Sequence, residues 1–228
     1  MSGPSEIEAV FMIDTLHAHW RPRLLDILAT EAGEADGAHD TAHFDRVWQV
    51  ARALLLAHTE ADPMVVMAAC YLHDLVNLPK NHPERHLASQ RSAERGRAHL
   101  QSVGFPEEKL DAVAHAIEAH SYSAGITPHS IEARIVQDAD RMDALGAVGL
   151  ARLFYTAGRM GATLAHPTDP LGGTRPLDDL RYALDHIAVK LEKLPETMQT
   201  EAGQRLAEAR LERVRRFRDD FMEEWQGQ

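Results

Sequence analysis

An all-α fold is predicted from three observations. Apolar residues recur at spacings of three and four along most of the 228 residues. Alternating runs rich in Val, Ile and Thr, which mark strands, are hard to find. Two helix-start signals, Asp40-Thr41 and Asp62-Pro63, stand directly ahead of periodic stretches, the second with proline at the first helical position. In chain order the spacing predicts helices over roughly 5–31, 43–58, 62–77, 86–102, 107–122, 130–146, 148–158, 177–194 and 200–226.

The first helix is followed by Gly33 to Gly37, a short polar link with Glu34 and Asp36 that leads to the segment carrying His43. The third begins at Asp62-Pro63 and contains the apolar run from Val65 to Leu72. On the sixth, Ile131, Ile135, Asp138, Met142 and Leu145 share one stripe, while Asp140 and Asp143 fall on an adjoining face. From Thr156 to Asp178 the glycines 158, 161, 172 and 173 and the prolines 167, 170 and 176 forbid one continuous helix. A loop this long in a compact domain is expected to act as a lid or binding loop. In the last helix, Leu211, Val214, Phe217, Phe221 and Trp225 form a stripe that docks on the body, and Arg213, Arg215, Arg216 and Arg218 form a solvated face beside acidic partners. We expect one domain over 1–228, with a metal-binding core over about 40–150 and a helical C-terminal part over about 151–228.

Composition narrows the function. The 24 basic and 35 acidic side chains give a net charge of −11, which argues against a nucleic-acid polymer as partner. A small anionic substrate stays open, because a metal ion and a few local cations can override the global field. Cys70 is the single cysteine, so no internal disulfide forms, and a reducing cytoplasm is expected. No stretch reaches the ~18 apolar residues needed to span a bilayer, and no signal-peptide pattern is read at the N-terminus. The pattern of a P-loop or dinucleotide-binding fold is missing too.

His43, the pair His73-Asp74 and an aspartate within Gln137-Asp-Ala-Asp-Arg-Met give two imidazoles and two carboxylates on separate helical segments. Such a set suits Mn, Fe, Zn, Co or Ni better than Ca, while Mg prefers an all-oxygen shell. Four protein ligands would leave positions open for water or substrate. His73-Asp74 follows the apolar run directly, at the edge of the core, where an unpaired carboxylate is expensive and a cation relieves the cost. Periodicity does not decide which of Asp138, Asp140 and Asp143 meets the metal.

These residues resemble the H...HD...D signature of the HD-domain phosphohydrolase superfamily. The resemblance implies an all-helical, metal-dependent hydrolase with His43, His73, Asp74 and Asp140 as ligands, leaving Asp138 and Asp143 to orient a ligand histidine or a basic side chain. The stretches His73 to Arg85, His120-Ser-Tyr-Ser-Ala, Glu132 to Ala147 and Lys190 to Trp225 are more closely similar to the bacterial YpgQ/YedJ-type HD hydrolases. That similarity implies a manganese-favouring enzyme that cleaves nucleoside triphosphates to monophosphate and pyrophosphate. Some relatives carry a glutamate three residues beyond the HD aspartate. Here Asn77 stands there, and an amide orients water but cannot accept its proton.

Asp74 and His120 are therefore the candidate catalytic residues, His120 as donor to a leaving oxygen or as a further ligand. Lys80 and Arg85, in the turn stiffened by Pro79 and Pro83, are the candidates for holding phosphate oxygens. Arg46, one turn from His43, ranks below them. His115 and His120 are five apart, a poor angle for one ion, so a single-metal site is expected. The alternatives are a phosphomonoesterase, a cyclic phosphodiesterase, or a non-catalytic ligand-sensing module. Oligomeric state is not readable from the chain.

Overall fold

The structure, a computed structural model, describes residues 5–31, 41–78 and 82–227. Nine α-helices and four 3-10 turns account for the regular structure of these residues, with one isolated bridge between Thr163 and Tyr182 and no strand. The chain divides into two compact units, Met1–Asp140 and Arg141–Gln228.

The first unit contains α1 (Glu6–Glu31), α2 (Thr41–Leu55), α3 (Pro63–Leu72), α4 (Ala88–Ser102), α5 (Leu110–His120) and α6 (Ile131–Met142), whose last two residues lie past the boundary. The middle of the unit is α3, which packs against α1, α2, α4 and α5. Every residue from Val65 to Leu72 is buried, and only a helix enclosed on all sides can be apolar all round. It starts as its sequence requires: the Asp62 carboxylate accepts from the N–H groups of Met64 and Val65, and Pro63 occupies the first turn. Glu132 of α6 accepts from the Asp62 N–H, tying the two helices together. Gly96 lets α4 come close, since a Cβ there would meet Ile117 Cδ1 at 3.3 Å and Leu72 Cβ at 3.6 Å.

Several predicted helices are shorter than the periodicity implied, and two of them show why. Helix α3 stops at Leu72 instead of continuing to about 77, leaving His73 as its C-cap. The His73 ring turns back to the Cys70 carbonyl, and Leu75 makes a tighter turn to Leu72. The stretch predicted as a helix over roughly 177–194 contains only α8 (Asp185–Val189), followed by a 3-10 turn at Leu191–Lys193. Asp178 takes the N–H groups of Leu180 and Arg181, while those of Ala183 and Leu184 go to the carbonyls of Thr163 and Leu164. These bonds compete successfully with the helical ladder.

The second unit holds α7 (Gly146–Arg159), α8 and α9 (Glu201–Trp225), with α7 packed on α9. Leu211 and Val214 are buried on α9, Phe217 meets Phe154, Arg213, Arg215 and Arg216 are exposed, and half-buried Arg218 pairs with Glu192 and Asp219. The Gly/Pro loop is held by its own polar ties. Asp169 accepts from Gly173 N, Thr174 N and Thr174 Oγ1, each at 2.9 Å. Arg175 forms a bidentate pair with buried Asp185 at 2.6 and 2.8 Å. Among the described residues no helix is long and apolar enough to cross a membrane.

Candidate metal centre

Four elements of the first unit deliver five side chains to one place. His43 comes from the first turn of α2, His73 and Asp74 from the end of α3, His120 from the last position of α5, and Asp140 from α6. The enclosed α3 carries His73 into the core, where it is fully buried. Beyond Asp74 the backbone is secured by Ser92 of α4, whose hydroxyl accepts from Val76 N at 3.0 Å.

His43 Nε2 lies 3.3 Å from His73 Nε2 and 3.6 Å from Asp140 Oδ1, which is also 3.6 Å from His73 Nε2. On the other side, Asp74 Oδ2 is 3.7 Å from His73 Nε2 and Asp74 Oδ1 is 3.5 Å from His120 Nε2. The donor atoms form two triads, His43/His73/Asp140 and His73/Asp74/His120, that share His73. Two ligand atoms each about 2.1–2.2 Å from a first-row ion, and adjacent on it, lie about 3.0–3.6 Å apart. The observed spacings match that range to within about 0.1 Å. Mixed imidazole and carboxylate donors suit a divalent transition ion.

The hydrogen bonds assign the tautomers. His73 Nδ1 lies 2.9 Å from the Cys70 carbonyl and His120 Nδ1 lies 2.6 Å from the Ile117 carbonyl. Both Nδ1 atoms must donate, so both Nε2 atoms face the carboxylates and can offer lone pairs to an ion. Electrostatics agree with a site built for positive charge. Burial lowers the His73 pKa, but the charges and hydrogen bonding of Asp74 and Asp140 outweigh it and push the value up to about 9. Burial raises that of Asp140, and the His73, His120 and His43 rings override it and hold the carboxyl below its ordinary range. Without an ion, a proton on His73 supplies the cation that the two carboxylates require. The Cys70 thiol, pushed up by burial, is no ligand candidate.

Lys80 lies outside the described residues. Arg85 sits in the 3-10 turn Arg85–Leu87, half-buried, and one N–H of its guanidinium donates to the Leu78 carbonyl. Asp138 is fully buried on α6, and Asp143 is buried against Arg152, Oδ2 to Nη1 at 2.5 Å. His115 faces elsewhere: its Nε2 accepts from His129 N, and the two rings stack 5.6 Å apart.

Sequence reasoning passed over two residues that frame the site. Ser92 belongs to a row of small residues on α4 with Ser89, Ala93 and Gly96, and that row, at helical spacing, was the available signal for close approach. Gln137 is buried three residues before Asp140, and its Nε2 donates to the Ala119 carbonyl at 2.6 Å. No local pattern marks it out.

A helical protein with histidines and aspartates converging on one point fits the class of divalent-metal hydrolases in which separate helices each lend a ligand. The model of the HD domain matches residues 41–145, a span that contains all five side chains. The protein YpgQ of Bacillus subtilis (strain 168) is 32% identical over 196 residues, which is 82% of this chain and 87% of YpgQ. Among solved structures, B. subtilis YpgQ in complex with ADP is 29% identical, with a TM-score of 0.63 and 96% of each chain covered. An HD-superfamily hydrolase from Bacillus thuringiensis is also 29% identical, with a TM-score of 0.66 and 98% and 100% of the chains covered. The present chain belongs to the HD-domain superfamily of hydrolases.

Proposed function

We propose that the chain is a metal-dependent phosphohydrolase of the cytoplasm that cleaves nucleoside triphosphates to monophosphate and pyrophosphate. The observation that carries this reading is the cluster of His43, His73, Asp74, His120 and Asp140, with donor atoms 3.3–3.7 Å apart. A nucleotide ligand is supported by the ADP complex of YpgQ. We assign His43, His73, Asp74 and Asp140 as ligands of one divalent ion, with manganese the favoured metal. When bound, such an ion would polarise a phosphoryl oxygen and acidify water.

The chain's own groups do the rest. Asp74 Oδ1, 3.5 Å from His120 Nε2, can hold a proton on that nitrogen, and His120 can pass it to the leaving oxygen as the phosphoanhydride breaks. Asn77 can orient water through its amide. Arg85 has further N–H donors besides the one on Leu78, and with Lys80 these can meet the negative charge that grows on the phosphate oxygens.

The test is to strip the protein of metal, restore Mn, Mg, Fe, Zn, Co or Ni singly, and follow products from a nucleotide panel by phosphorus NMR. Pyrophosphate with nucleoside monophosphate is the expected result, strongest with Mn. Orthophosphate released from a monophosphate, or a linear product from a cyclic nucleotide, would replace the pyrophosphohydrolase reading with the corresponding phosphatase or phosphodiesterase. No turnover with any metal would leave a ligand-sensing module.

A further inference from the structure

We infer that Gln137 is a positioning residue for His120, acting through the end of helix α5. This rests on the reading of His120 as the proton donor. The last carbonyls of a helix have no intrahelical partner, and a buried end must find them elsewhere. At the end of α5, the Ile117 carbonyl is taken by His120 itself, through Nδ1 at 2.6 Å. The Ala119 carbonyl, immediately before His120, is taken by Gln137 Nε2, also at 2.6 Å. Gln137, His120 and Ala119 are all buried, so water does not easily replace either bond.

The carboxamide therefore clamps the peptide that carries His120 to α6, the helix that carries Asp140. With that peptide held, the His120 ring keeps Nδ1 on Ile117 and turns Nε2 toward Asp74. The other end of the amide supports a positional role rather than a contribution to stability. Gln137 Oε1 is buried and makes no hydrogen bond among the described residues. A buried acceptor left in this way costs stability, so an apolar side chain of equal length would gain here about what it loses at the Ala119 carbonyl. What the apolar side chain would lose is the donor on Ala119.

Gln137→Met tests this, because it keeps the side-chain length and removes both polar atoms. The variant should fold with a melting temperature close to that of the wild type, because the relief at Oε1 offsets the loss at the Ala119 carbonyl, and should take up metal normally. Its kcat should fall by about 10–100-fold with KM within about twofold, as for other groups that orient a catalytic side chain. Added to His120→Ala, the same change should cause no further loss, since both substitutions remove one function. In the metal-free protein, the Nδ1 resonance of His120 should show its proton held on the Ile117 carbonyl in the wild type, whatever the state of Nε2, and that hold should be lost in Gln137→Met.

This last measurement separates the inference from the proposed function. A wild type that cleaves no nucleotide sinks the function, while the nitrogen shifts still judge the clamp. Multiplying losses in the double variant, or an unaltered His120 Nδ1 resonance in Gln137→Met, would overturn it. So would failure of both Gln137→Met and Gln137→Leu to fold, by showing that the contact holds the core rather than one ring.

Discussion

Asp74 stands between two imidazoles, 3.7 Å from His73 Nε2 and 3.5 Å from His120 Nε2, and so has both a ligand's and a proton-holder's position. Asp74→Ala should abolish metal uptake in equilibrium dialysis and turnover together. Normal metal content in that variant would take Asp74 out of the ligand set. His115→Ala is the control: with its nitrogen on the His129 backbone, it should change stability by no more than about 0.5 kcal/mol and leave turnover intact. At this scale the sequence was legible where a residue type and its spacing carry the chemistry, as for His43 and the His73-Asp74 pair. It was not legible for Gln137 or Ser92, whose roles depend on which backbone groups other helices leave unsatisfied.

Helices with a sequence-encoded start, such as α3 after Asp62-Pro63, could be placed before the structure was known. Their ends could not, because His73 and Asp178 divert backbone groups through contacts that depend on conformation. Within the second unit, Gly149 shows a constraint that helix propensity would miss. A Cβ at this position would overlap the Ala144 carbonyl, so the chain must move to admit one. Gly149→Ala gains about 1 kcal/mol of propensity. It should nevertheless destabilise, since forced backbone shifts cost about 1–3 kcal/mol, and thermal denaturation will show the sign. The Arg175–Asp185 pair sets a pH dependence. Burial raises the Asp185 pKa, but Arg175 and the Asp178 N–H outweigh it and hold the carboxyl below its ordinary value. Its contribution is therefore complete above the unfolded value of about 3.9 and is lost as pH falls through the lower folded value. Asp185→Asn should lower stability in urea unfolding at pH 7, and by less at pH 3, where the wild type has begun to lose the same charge.

We take the two compact units, with α6 running across their boundary, to act as one hydrolase domain. Calorimetry should then show one unfolding transition for the whole chain. An ion that binds the folded state alone stabilises it by about 2.7 kcal/mol at a hundredfold excess over Kd. For a chain of this size the midpoint should rise by about 5–10 °C when the ion is restored, and two separate transitions would divide the domain. With Nδ1 of His73 committed to Cys70, this imidazole has a single outward lone pair, and both triads depend on it. The triads therefore cannot each hold an ion of their own, and on the proposed reading, in which one ion draws on both, a metal titration should saturate at one equivalent per chain.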